Sequence, residues 1–149
     1  MIPCALIFTP VMADTEEACA FAQTFADEYA LVSDAHRALV RKILVVHWSH
    51  SNSDHHGRIR LRMGARPGEL LHEVGHQISY TNGLQEAWDA RFWQDGTYVG
   101  MTVSIYGKTN SHEDFAEAYR ATVQRRQVRR QQLSRICWMR QHVTSPDVS

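Results

Sequence analysis

Little in this chain points to a membrane or to a large polyanionic partner. It has no apolar run long enough to cross a bilayer. Its 16 basic and 16 acidic residues cancel to a formal net charge of zero. No overall field therefore recruits nucleic acid or an anionic membrane, and neither is expected as a partner. Cysteine is scarce: Cys4, Cys19 and Cys137 lie far apart and are odd in number. Without a CxxC pair, a thiolate zinc site has no support, and no disulfide framework is expected. Reduced, packed cysteines are the expectation, and they favour a cytoplasmic protein over a secreted effector. Residues 1–13 are apolar and end in small side chains, but they lack a basic n-region and are interrupted by Pro3 and Pro10. A buried first strand is expected there rather than a signal peptide.

At 149 residues the chain fits a single domain, 1–149, with residues 142–149 expected to fray. Ile2 to Phe8 reads as one short strand. Asp14 and Glu17 have the spacing of a capping box. The apolar residues Phe21, Phe25, Tyr29 and Val32 then mark one face of an amphipathic helix. A second helix can restart at Ser33-Asp34 and run to Val40. Ile43 to Trp48 is β-branched and apolar, so a strand, and His50 to Gly57 is a polar loop. Arg58 to Met63 alternates arginine with apolar residues, the pattern of a half-exposed or edge strand. Pro67 opens a helix through Leu70, Leu71, Val74 and Ile78 that stops near Asn82-Gly83. A helix over Leu84–Trp93, an extended piece over Tyr98–Ile105 and a long last helix from Ser111 to Gln141 complete the expected α+β fold.

The chemistry concentrates in the Pro67 helix. His72 and His76 are four residues apart, so both imidazoles project from one face, the separation needed for two nitrogens to hold one Zn²⁺. Glu73 lies between them, placed to act as a general base toward water. Gly75 inside the helix costs about 1 kcal/mol relative to alanine. Another segment packed closely against it would explain that cost. Zinc needs a third protein ligand and one open position. Downstream, Glu113 and Glu117 share a helical face. We assign Glu113 to the metal and Glu117 to a hydrogen bond with a ligating histidine. Asp114 is then free to serve the helix N-terminus. His112 is the rival ligand, one residue out of phase with Glu113.

The stretch His72-Glu73-Val74-Gly75-His76, followed by Tyr106-Gly107 and by Glu113-Asp114-Phe115-Ala116-Glu117-Ala118-Tyr119, resembles the gluzincin metallopeptidases. It is closest in pattern to the family of the anthrax lethal factor catalytic domain and the clostridial proline–proline endopeptidases. The resemblance covers roughly 59–119. It implies a zincin-like domain: a small mixed sheet, a catalytic HExxH helix and a C-terminal helix carrying the third ligand. It implies zinc bound by His72, His76 and Glu113, Glu73 as base, and Tyr106 hydrogen-bonding the developing oxyanion or the leaving group. The expected activity is zinc-dependent endopeptidase action on a protein or peptide substrate. These 149 residues show no sign of that family's large partner-binding and substrate-docking domains, so specificity is not carried over.

Weaker signals surround this core. In zincins the edge strand pairs with extended substrate, which here would be 58–63. His47, His50, His55 and His56 cluster around one loop and read as solvated. Trp88, Phe92 and Trp93 read as core. Between Arg120 and Arg140 there are seven arginines and no acidic residue, read as a solvated helix face. Two rival readings follow: a zincin-like regulatory or effector domain with a single protein target, and an arginine-rich adaptor for nucleic acid or protein.

Overall fold

Alternation of apolar and polar residues builds the sheet in the computed structural model, which describes residues 1–144. The strands are β1 (Ile2–Leu6), β2 (Thr9–Ala13), β3 (Lys42–Val46), β4 (Asn52–Ser53) and β5 (Arg58–Arg62), in the order β1-β2-β3-β5-β4. β1 and β2 are antiparallel, β2-β3-β5 run parallel, and β4 returns antiparallel to β5, so the sheet is mixed. Val11, Ile43, Val45, Ile59 and Leu61 are buried in one core with the helices. In chain order these are α1 (Glu16–Gln23), α2 (Ala26–Ala30), α3 (Asp34–Arg37), α4 (Glu69–Ser79), α5 (Leu84–Phe92), α6 (Ser111–Val123) and α7 (Leu133–His142). A short hairpin of β6 (Trp93–Gln94) and β7 (Thr97–Tyr98) follows α5. The fold is α+β, and among the described residues no helix is long and apolar enough to cross a membrane.

α4 is the centre of the molecule. Its Leu70, Leu71, Val74 and Ile78 are at most 1% exposed, and burying each contributes about 1.5–3 kcal/mol. Gly68 caps its start in a left-handed conformation (φ 89°), and its N–H donates to Glu28. Across α4 lies α6, capped by Asn110, whose side chain accepts from the Glu113 N–H. The two helices meet at Gly75, where a Cβ would stand 3.0 Å from the Ala116 Cα. This close approach is the packing that the glycine implied.

Several expectations need correction. The first strand ends at Leu6, and Ile7 and Phe8 (φ 53° and 130°) turn the chain into β2, making a hairpin. Thr15, not Asp14, caps α1, because its hydroxyl accepts from the Ala18 N–H. Thr24-Phe25 break the first amphipathic helix into α1 and α2. β5 is not an edge: β4, inside the expected loop, pairs with it at Asn52↔Arg60 and Ser53↔Ile59. Beyond Tyr98, the expected extended piece is bends and a 3₁₀ turn, Tyr106–Lys108. The long last helix is two, because Arg125 takes a left-handed conformation (φ 54°) and the chain folds back. That return buries Ile136 and Met139 and sets Trp138 against Trp88 (centroids 5.2 Å apart). His142 is the last residue of α7 and Val143 is buried, so fraying does not begin at 142; residues 145–149 lie outside the described residues.

The cysteines also differ from expectation. Cys4 on β1 and Cys19 on α1 form a disulfide (Cα–Cα 6.3 Å), and Cys137 is exposed rather than packed. Closing a loop of this length contributes about 3 kcal/mol. Two cysteines on separate elements, with no spacing signature, gave the sequence no means of showing the pairing.

Candidate metal centre

Because α4 and α6 approach so closely at Gly75, side chains one turn away must meet. His72 and His76 project from α4 with rings edge to face, centroids 4.8 Å apart. Glu113, in the first turn of α6, reaches both. Its Oε2 is 3.1 Å from His72 Nε2 and its Oε1 is 2.8 Å from His76 Nε2, while the two Nε2 atoms are 3.1 Å apart. Donor atoms bound tetrahedrally at 2.0–2.2 Å stand roughly 3.3–3.5 Å apart. The three groups have the chemistry to hold a metal ion together, with donor separations contracted by roughly 0.2–0.7 Å from that spacing. His112 is exposed at the cleft rim, and it is Glu113 that meets the ring nitrogens.

Proton counting shows what this triangle requires. His72 Nδ1 is 2.8 Å from Glu117 Oε2, so it carries a proton and donates it there. If both Nε2 atoms were also protonated, the His72–His76 contact would set N–H against N–H. If either is bare, its lone pair faces the Glu113 carboxylate. With Glu113 ionised, as the two histidines hold it, no proton arrangement makes all three contacts in the triangle attractive. A cation bound by all three groups does. With protons alone, burial opposes the imidazolium, yet hydrogen bonds to Glu113 and Glu117 overcome it and raise His72 to about 9. Burial likewise opposes the Glu113 carboxylate, but both histidines hold it well below the ordinary range. The pocket is organised around one positive charge.

Glu73 occupies a different face of α4. It is buried, and burial pushes its carboxyl up, against the pull of His72, His76 and Ser53. Ser53 Oγ lies 2.9 Å from Glu73 Oε1 and from the Glu73 carbonyl. One turn on either side repeats the arrangement. Ser51 Oγ donates to Glu69 Oε2 at 2.9 Å, and Gln77 Nε2 donates to the Asp54 carbonyl at 2.7 Å. Glu69, Glu73 and Gln77 thus form a polar stripe that fastens residues 51–54 to α4. The sequence reading missed these partners. The stripe's four-residue spacing on a buried helix was the available signal.

Glu117 is buried between His72 and Ser104, whose Oγ donates to its Oε1 at 2.9 Å. Arg120 stands 3.6 Å from its Oε2. Tyr106 sits on the opposite rim, half exposed, its ring centroid 5.6 Å from that of His72. Burial and the neighbouring Glu113 carboxylate push its phenol well above the ordinary value, so it stays a hydrogen-bond donor. Glu73, His76, Tyr106 and Glu113 line one cleft of about 390 Å³ with Ser53 and Tyr80. His55 also lines it, stacked on Tyr80 at 3.9 Å, so part of the exposed histidine-rich loop borders the cleft.

Asp114 does not serve the helix N-terminus. It is fully buried and accepts from Trp88 Nε1, Trp93 Nε1 and Arg135 Nε at 2.8–3.1 Å. Arg135 is itself fully buried, so one of the seven arginines is core rather than solvated face. Trp88 and Phe92 are core, as expected. Among the described residues, the group of three metal-ligating side chains whose donor atoms all lie within 4.8 Å of one another is His72, Glu73 and His76. Of these, Glu73 is engaged by Ser53, and Glu113 lies nearer the two ring nitrogens. Comparison with protein families, with curated proteins and with solved structures finds no match to this chain.

Proposed function

We propose that this chain is a zinc-dependent endopeptidase with a zincin-like active site. The observation that supports it best is the triangle of His72, His76 and Glu113, whose contacts, with Glu113 ionised, become mutually attractive around a shared cation. Zinc held there would supply a Lewis acid that polarises a carbonyl and brings the pKa of water to about 7. Glu73 takes the proton from the attacking water and returns it to the departing amine. Ser53 orients one oxygen of that carboxylate. Glu117 keeps the His72 proton on Nδ1 and so leaves Nε2 free as a ligand. Tyr106 stays neutral and donates to the carbonyl oxygen as its charge grows. Because β4 covers β5, the strand proposed to pair with an extended substrate is β4, at the cleft, not 58–63.

The test is metal content and cleavage of a mixed peptide library by the wild type, Glu73→Gln and Glu113→Ala. We expect equimolar zinc and cleavage in the wild type, zinc without cleavage in Glu73→Gln, and loss of most zinc in Glu113→Ala. A wild-type protein that takes up no zinc, or a Glu73→Gln variant that cleaves like wild type, overturns the reading.

A further inference from the structure

β3 and β5 begin at the same end of the sheet, with Lys42 paired to Arg58. The preceding loop crosses there, and its Gly57 carbonyl accepts from the Arg41 and Lys42 N–H groups at 2.8 and 3.3 Å. Gly57 is left-handed (φ 80°), and a Cβ on it would lie 2.7 Å from Arg41 Cγ. The Arg41 side chain therefore rests across the glycine. With Lys42, His56 and Arg58 it lines a concavity of about 330 Å³. No carboxylate lines it. Asp54, close by, accepts from Arg58 Nε at 2.7 Å and from the His56 N–H at 2.8 Å, which engages one edge of one guanidinium. Arg41 and Lys42 form no ion pair among the described residues. The cations Arg41, Lys42 and Arg58 against one carboxylate, Asp54, leave a local charge of about plus two, in a chain whose net charge is zero.

We propose that this concavity binds a phosphate group carried by a small molecule. A phosphate dianion matches the local charge, and guanidinium groups donate to it in pairs. The volume exceeds what bare phosphate needs, which leaves room for its carrier. The site is separate from the metal centre and does not depend on the proposed peptidase activity. Both are joined by one loop, because His55 faces the cleft and His56 the concavity.

Titration of the full-length protein with inorganic phosphate and with AMP, followed by amide NMR at constant ionic strength, tests this. Saturable shifts are expected at Gly57 and Arg58 with both probes. Arg41→Gln and Lys42→Gln are each expected to weaken binding about tenfold. Arg125→Gln/Arg126→Gln, on the exposed α6–α7 connection, should leave it unchanged. AMP binding tighter than phosphate, or equal to it, both support the site and report how much of the carrier it reads. Shifts that fail to saturate, that centre on His72 and His76, or that persist undiminished in a folded Lys42→Gln variant overturn the proposal.

Discussion

Replacing Gly75 with alanine separates helix propensity from helix packing, because the two effects have opposite signs. In an isolated helix the change gains about 1 kcal/mol. Here the new Cβ meets the Ala116 Cα at 3.0 Å, the Ala116 carbonyl oxygen at 3.2 Å and the Tyr119 Cβ at 3.2 Å. Carbon atoms prefer about 3.5–4.0 Å. Two of the three neighbours are backbone atoms, so relief requires α6 to move away from α4 by roughly half an ångström. Overpacking of this kind costs about 1–3 kcal/mol, which leaves a net loss of up to about 2 kcal/mol. Glu113 stands three residues before Ala116 on the moving helix, so the displacement pulls its carboxylate from both imidazoles. We expect urea denaturation to give lower stability and chelator competition to give weaker zinc binding. A Gly75→Ala protein stabilised by about 1 kcal/mol, with zinc affinity unchanged, would refute the close approach and the coupling built on it.

Glu117→Gln can set its NH₂ against His72 Nδ1 and favour the tautomer that blocks Nε2, so zinc affinity should fall about 10–100-fold in chelator competition with the stability of the apoprotein little changed. Arg135→Met leaves Asp114 buried without its cation and should cost about 3–5 kcal/mol by chemical denaturation; adding Asp114→Asn should recover part of that loss. Hydrogen bonds from the His56 N–H and from the Arg58 side chain and N–H overcome burial and hold the Asp54 carboxyl at about 2. Its folded-state pKa lies below the unfolded one, so its contribution is complete above about pH 4 and is lost as the pH falls toward 2. The stability difference between wild type and Asp54→Asn, followed across that range, should shrink accordingly.

What the sequence made legible was local. His72 and His76, and Glu113 and Glu117, are pairs four apart, and helix geometry turns that spacing into a shared face without knowledge of the fold. Gly75 announced a close neighbour but not its identity. The missed features depend on residues far apart or on turns without a signature. Ile7-Phe8 and Arg125 adopt left-handed backbone without glycine or asparagine. Arg135 finds Asp114 across 21 positions, so the arginine run read as uniformly solvated when one member is core. β4 is two residues long and has no apolar alternation.

The last of these misses has its cause in α4. Ten of its eleven residues are buried, including His72, Glu73, His76 and Gln77. A helix so enclosed cannot leave polar groups to water, so each polar side chain needs a partner from another element. Ser51 and Arg62 hold Glu69, Ser53 holds Glu73, and the Asp54 carbonyl accepts from Gln77. On the other face two imidazoles meet two carboxylates, and with both carboxylates ionised protons cannot satisfy every contact. The short strand that escaped sequence reading is therefore the partner that lets the Glu73 carboxyl be buried beside the paired histidines. Loosening residues 51–54 should disturb Glu73 before it disturbs His72 or His76.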